Sequence, residues 1–125
     1  MSVRLLLLDD DANIRETAKD ILEDAGYAVE SASSIAGALE ILRRLSCQIA
    51  LVDLHLPDGT GLEFAHQARA LQPRLPVVLM SGEAAGSASL TEDALEARLT
   101  KPVDPQDLLQ TLEKILHRPP SSAAG

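Results

Sequence analysis

The sequence predicts an α/β fold in which helices cover both faces of a parallel, five-stranded sheet. The first observation is that short apolar runs alternate along the chain with longer segments whose apolar residues recur at helical spacing. The second is that most of these runs are almost continuously apolar, which is typical of strands buried on both faces. Right-handed connections between successive strands then make the sheet parallel and doubly wound.

Length and composition fit one globular domain and exclude several classes of function. The chain has 125 residues, of which 46% are hydrophobic and 2% aromatic, so aliphatic side chains must fill the core. Its net charge of -8 argues against binding of a nucleic acid backbone, which needs clustered Lys and Arg. The single Cys47 excludes an internal disulfide framework. The apolar N-terminal run is too short to span a membrane, and we expect a cytoplasmic domain.

The first half of the chain contains three predicted strands and two predicted helices. The strands are predicted over residues 3–8, 27–31 and 49–52. Asn13 with Glu16 resembles a capping box for the first helix, which Gly26 ends. Ser33 can cap the second helix, whose apolar stripe is predicted to face the core.

The second half continues the alternation, with one weak stretch. Strands are predicted over residues 77–80 and 98–100, and a loop over residues 57–61 leads into a third helix over residues 62–71. Between the last two strands an Ala-, Ser- and Gly-rich stretch predicts a poorly defined fourth helix. Asp104 as N-cap and Pro105 at the first helical position begin the last helix. We expect a domain over residues 1–118 and a flexible tail or linker over residues 119–125.

Polar residues interrupt the apolar pattern where the predicted strands end. Asp9 and Asp10 follow the first strand, Asp53 follows the third, and Ser81 and Lys101 follow the fourth and fifth. The carboxyl ends of parallel strands lie at one edge of the sheet, where ligands of open α/β sheets bind. In the strand order 2-1-3-4-5, strands 1, 3, 4 and 5 are neighbours. We therefore expect these five side chains to converge.

The predicted cluster suits a divalent cation and a phosphoryl group. Three carboxylates in one cleft repel each other, and oxygen ligands at strand ends suit Mg²⁺ or the similar Mn²⁺. The three carboxylates, one such ion and Lys101 leave no net charge. The ion, Lys101 and the Ser81 hydroxyl would stabilise phosphoryl oxygens, and Asp53 at the centre is the natural nucleophile.

Four motifs in this order resemble the receiver domain of two-component response regulators, the CheY-like family. They are Leu8-Asp9-Asp10-Asp11, Leu51-Val52-Asp53-Leu54-His55-Leu56-Pro57-Asp58-Gly59, Met80-Ser81-Gly82 and Lys101-Pro102. The resemblance covers about residues 3–117 and implies a flavodoxin-like (βα)5 fold. It also implies a regulatory domain rather than an enzyme, one that assists its own phosphorylation and dephosphorylation.

The resemblance implies a role for each residue of the predicted site. Asp53 accepts the phosphoryl group, and Ser81 and Lys101 contact it. The metal is bound directly by Asp10 and Asp53, through water by Asp9, and by the backbone carbonyl of His55. The His55 side chain and Glu83 could tune the lifetime of the phosphorylated state, although an exposed loop histidine fits His55 equally well.

The same resemblance implies the partners. A sensor histidine kinase or a phosphotransfer protein supplies the phosphoryl group, as in a phosphorelay. The output is then a fused domain or a separate downstream protein, and a homodimer is compatible with the family. Neither a nucleic acid nor a membrane is expected to bind this segment directly.

Two features depart from the family pattern. Arg98 stands where most receivers have Tyr or Phe, and the segment from Ser81 to Lys101 is shorter than usual. We therefore expect a short or irregular fourth helix and a switch without the usual aromatic ring. A pseudo-receiver, which binds partners without phosphorylation, remains the alternative, although such proteins usually lack an acidic residue or the lysine, and none is missing here.

Overall fold

The structure, a computed structural model, describes residues 3–82 and 97–117. These residues form a five-stranded parallel sheet, a two-stranded hairpin and four helices. In chain order the elements are β1 (Arg4–Leu8), α1 (Ala12–Asp24), β2 (Ala28–Ala32), α2 (Ile35–Arg44), β3 (Ile49–Asp53), β4 (His55–Leu56), β5 (Gly59–Thr60), α3 (Gly61–Leu71), β6 (Val77–Ser81), β7 (Ala97–Thr100) and α4 (Pro105–His117).

The order of the main sheet is β2-β1-β3-β6-β7, and every neighbouring pair is parallel. Because β4 and β5 form the separate hairpin, this is the predicted order 2-1-3-4-5 of a doubly wound flavodoxin-like fold. The fold class is confirmed. The predicted fourth helix and the predicted tail lie outside the described residues.

Apolar side chains pack on both faces of the sheet, which explains the four consecutive leucines of β1. Leu6 and Leu8 pack in one core with side chains of α2 and α3, whereas Leu5 and Leu7 pack in the other with side chains of α1 and α4. All four are fully buried. Each such leucine contributes about 1.5–3 kcal/mol of transfer free energy, so strand placement is strongly determined.

Two helix starts differ from the prediction. Asp11, not Asn13, caps α1, because its extended backbone lets its carboxylate accept the N–H groups of Asn13 at 2.9 Å and Ile14 at 3.1 Å. Asn13 already lies inside the helix, so the predicted capping box is wrong. Ser34 rather than Ser33 caps α2. Such one- and two-residue errors arise because adjacent polar residues have similar capping preferences.

The loop predicted between β3 and α3 contains a short hairpin. His55 pairs with Thr60 and Leu56 with Gly59, whose φ of 148° favours glycine. Thr60 then begins α3 through a capping box with Glu63, with N–H···O distances of 3.2 and 2.8 Å. The hairpin returns the chain beside the end of β3, so α3 starts next to Asp53.

The described part of the chain includes no helix that is both long and apolar enough to cross a membrane.

Candidate functional site

Four adjacent strands end at the edge of the sheet where the site was predicted. Leu8 of β1 lies opposite Val52 of β3, and Asp53 lies opposite Met80 of β6. The N–H of Lys101, just after β7, donates to the carbonyl of Ser81 at 2.8 Å. The peptide between Lys101 and Pro102 is cis.

Three carboxylates form a cluster at this edge. Carboxylate oxygens of Asp9, Asp10 and Asp53 all lie within 4.8 Å of one another. Asp9 is fully buried and Asp53 is 8% exposed, whereas Asp10 is exposed. Burial raises the pKa of Asp9, and the Asp53 charge adds to this effect, while the Asp11 N–H and Lys101 oppose it. The cluster is therefore a place where positive charge is favoured.

Lys101 is the cation that joins two of these carboxylates. Its Nζ lies 3.1 Å from Asp53 Oδ1 and 3.3 Å from Asp9 Oδ2. Burial tends to lower the pKa of Lys101, but the hydrogen bond to Asp53 and the two carboxylate charges outweigh it and raise that pKa. Lys101 therefore stays protonated beside Asp53 at neutral pH.

The protein contacts both oxygens of the Asp9 side chain. Oδ1 accepts the N–H of Asp11 at 2.9 Å, and Oδ2 faces Lys101. These contacts hold the Asp9 carboxylate at the base of the cluster. Asp10 lies at its exposed rim.

Gly61 allows helix α3 to begin directly against the end of β3. A Cβ atom added to Gly61 would lie 2.6 Å from the carbonyl oxygen of Asp53 and 2.7 Å from Leu79 Cδ1. The Gly61 N–H also donates to the Leu54 carbonyl at 2.8 Å, and the Leu54 N–H donates to the Met80 carbonyl at 2.9 Å. The backbone around Asp53 is thus fixed on both sides.

The remaining predicted residues are spread around this cluster. Ser81 is partly buried at the end of β6, and the His55 side chain is exposed in β4. Arg98 is partly buried in β7, where it pairs with Leu79. Glu83 lies outside the described residues, so its predicted place beside the site remains a prediction.

Two residues near the site were missed by sequence reasoning. Arg15 Nη1 donates to the backbone carbonyl of Asp9 at 2.8 Å. Asp58, which lies in the predicted loop over residues 57–61, accepts the N–H groups of Ile35 at 2.9 Å and Ala36 at 3.0 Å, and these bonds lower its pKa. The contact of Arg15 depends on how α1 packs against the sheet, and no local signal connects Asp58 with α2.

The comparisons with known proteins agree with this geometry. The family described as "Response regulator receiver domain" matches residues 5–113. The response regulator receiver protein CpdR of Brucella abortus (strain 2308) is 34% identical over 115 residues, which cover 90% of this chain and 96% of CpdR. The chain also matches two longer transcriptional regulatory proteins. It spans 26% of the length of GlrR of Escherichia coli (strain K12) and 24% of the length of AlgB of Pseudomonas putida.

Solved structures show the same relationship. A CheY-like receiver domain protein from Methanospirillum hungatei JF-1 is 34% identical, with a TM-score of 0.86 over 93% of this chain and 94% of that one. TrrA of Thermotoga maritima, solved in complex with Mg(2+)-BeF, is 25% identical, with a TM-score of 0.84 over 91% of this chain and 99% of TrrA. Together with the family match and the strand-end cluster, these similarities show that the chain belongs to the receiver domain family of two-component response regulators.

Proposed function

We propose that Asp53 accepts the phosphoryl group from a phosphohistidine of a sensor histidine kinase or a phosphotransfer protein. The observation that carries this proposal is that Lys101 lies against both Asp53 and the buried carboxylate of Asp9, with its Nζ 3.1 Å from Asp53 Oδ1. Asp53 is 8% exposed and ends β3 at the carboxyl edge of the sheet, which is where a donor would approach it.

The transfer converts the Asp53 carboxylate into an acyl phosphate. A carboxylate oxygen of Asp53 attacks phosphorus, and the phosphorus–nitrogen bond of the donor breaks. The departing imidazole nitrogen keeps the electron pair and takes up a proton from solvent. Lys101, already protonated beside Asp53, stabilises the charge on the phosphoryl oxygens, and the Ser81 hydroxyl donates a hydrogen bond to one of them.

The donor set fits Mg²⁺, or Mn²⁺ in its place. Three carboxylates with oxygens within 4.8 Å of one another suit a hard divalent ion. Asp10 and Asp53 would bind it directly together with the carbonyl of His55, and Asp9 through water, because the protein already contacts both Asp9 oxygens. When bound, the ion neutralises carboxylate and phosphoryl charge. The Mg(2+)-BeF complex of the similar TrrA supports this assignment.

The phosphorylated domain would control an output and then lose the phosphoryl group to water with help from the same site. The His55 side chain and Glu83 would set the rate of that loss. The relatives support two forms of output, since CpdR matches this chain over 96% of its length, whereas the GlrR and AlgB regulators are about four times longer than the matched region. Phosphorylation would shift an equilibrium between two states of the domain, which then binds or releases its target.

Intact-mass measurement after incubation with acetyl phosphate and Mg²⁺ tests this proposal. We expect the wild-type protein to gain one phosphoryl group, and we expect no gain with Asp53→Asn or with EDTA. Asp20→Asn, an exposed change on α1, is the matched control and should gain as the wild type does. An unmodified wild-type protein throughout a time course begun within seconds would contradict the proposal and favour a pseudo-receiver.

A further inference from the structure

We propose that Arg15 is a positioning residue for the metal-binding loop, because it fixes the peptide that joins Asp9 to Asp10. This inference rests on the proposed function, since it concerns the same Mg²⁺ site. Arg15 does not belong to the carboxylate cluster, and it would act through the backbone between two of the cluster's members.

Three consecutive peptides at the end of β1 each have an identified hydrogen bond. The N–H of Asp9 donates to the carbonyl of Ala32 at 3.2 Å, which fixes the peptide before Asp9. The N–H of Asp11 donates to Asp9 Oδ1 at 2.9 Å, which fixes the peptide after Asp10. The middle peptide is fixed by Arg15, whose Nη1 lies 2.8 Å from the Asp9 carbonyl oxygen.

The middle peptide matters because it sets the direction of the Asp10 side chain. Asp10 is exposed and lies between β1 and α1, outside both elements. Its carboxylate nevertheless lies within 4.8 Å of those of Asp9 and Asp53, which repel it while no cation is bound. A fixed peptide keeps the Asp10 carboxylate near Asp9 and Asp53 against that repulsion. Less conformational entropy is therefore lost when the ion binds.

Arg15 is well suited to this role. It lies in the first turn of α1, partly buried, and its own N–H donates to the carbonyl of Asp11 at 2.9 Å. The capped helix therefore fixes the backbone of Arg15, and the Arg15 side chain in turn fixes the Asp9–Asp10 peptide. A guanidinium is a rigid planar donor with a permanent charge, so its hydrogen bond does not depend on pH in the physiological range.

Arg15 could act by positioning the loop or only as a nearby positive charge, and the two roles predict opposite changes in Mg²⁺ affinity when Arg15 is removed. If the guanidinium acted only as a nearby positive charge, its removal would strengthen binding of a divalent cation. If it holds the Asp9–Asp10 peptide, its removal weakens binding, as is usual when groups that orient metal ligands are lost. The sign of the change in Mg²⁺ affinity therefore distinguishes the two roles.

Isothermal titration of the unphosphorylated protein with Mg²⁺ is the test. We expect Arg15→Met, which keeps an apolar stem but lacks charge and donors, to raise the dissociation constant about tenfold, the lower end of losses of this kind. Arg15→Lys keeps the charge on a side chain one atom shorter, and we expect a smaller rise. Arg43→Met removes an equal charge from α2, where Arg43 makes an exposed ion pair with Glu40, and should bind as the wild type does.

Urea unfolding in EDTA separates this role from a general loss of stability. We expect the rise in the dissociation constant to persist when the titration is done under conditions in which urea unfolding shows each variant to be fully folded. Unchanged or tighter binding by Arg15→Met, or by Arg15→Lys if the former does not fold, would overturn the inference and leave phosphorylation of Asp53 untouched. Failure of the wild type to bind Mg²⁺ would instead overturn the proposed metal site itself.

Discussion

Lys101 balances the charge of two acidic residues that the fold has taken out of water. Its Nζ contacts both Asp9 and Asp53, and the side chain of Asp9 is fully buried. Removing one partner from a buried ion pair leaves the other charge uncompensated, which costs more than the pair itself contributes. At the scale of single residues, the stability of the site should therefore depend on this lysine whenever metal is absent.

Lys101→Met tests this dependence. In EDTA we expect the free energy of unfolding to fall by about 1–3 kcal/mol, less than for a fully buried pair because Lys101 retains some contact with solvent. The raised pKa of Lys101 means that its contribution is fully present below the ordinary lysine pKa of about 10.4 and is lost as pH rises through the higher folded value. The measurement is urea unfolding at neutral and at high pH.

The control for this prediction is Lys114→Met, which removes an exposed lysine from α4. It should change stability little at any pH. Added Mg²⁺ should recover part of the loss in Lys101→Met, since a divalent ion supplies the missing charge. Equal stability of Lys101→Met and the wild type in EDTA would contradict this account of the site.

At the scale of elements, Asp58 connects the hairpin beside the end of β3 with helix α2. Its two carboxylate oxygens accept the N–H groups of Ile35 and Ala36, which lie more than 20 positions earlier in the chain. These N–H groups belong to the first turn of a helix, where donors need an outside partner. The bond therefore holds the loop that follows Asp53 against α2, so the two elements should lose stability together.

Asp58→Ala should lower the free energy of unfolding at neutral pH, and Asp58→Asn, which keeps one acceptor oxygen, should lower it less. The pKa of Asp58 is lowered from 3.8 by these bonds. Its contribution is therefore fully present above about that pH and is lost as pH falls through the lower folded value. Urea unfolding of the wild type and Asp58→Ala should give a constant difference between pH 7 and pH 5 that shrinks below pH 4. A difference that grows on acidification would contradict this interpretation.

The sequence predicted most elements to within two residues, because apolar periodicity reflects burial on the sheet faces and helix stripes. The prediction was wrong where a local rule had two good candidates, as with Asp11 and Asn13. It could not find the hairpin of β4 and β5, since each strand has two residues and no pattern of its own. Nor could it find the hydrogen bonds from Asp58 to α2, because no sequence feature near Asp58 or near the start of α2 indicates that the two are in contact.

At the scale of the whole molecule, the parallel sheet brings together residues that lie far apart in the chain. Lys101 and Asp9 are 92 positions apart, yet their side chains are 3.3 Å apart. Their proximity could be predicted once the order 2-1-3-4-5 was assumed, because the carboxyl ends of parallel strands lie at one edge of the sheet. The sequence could not predict the contact of Arg15 with the Asp9 carbonyl or the burial of individual carboxylates, because both depend on how α1 packs against the sheet.

The central claim is that this convergence makes Asp53, and no other carboxylate of the cluster, the phosphoryl acceptor. Borohydride reduces an acyl phosphate to an alcohol, so it marks the modified aspartate permanently. After phosphorylation with acetyl phosphate and Mg²⁺, reduction and peptide mapping by mass spectrometry, we predict that the mark lies at Asp53. A mark at Asp9 or Asp10, or equal marks on several aspartates, would contradict the account.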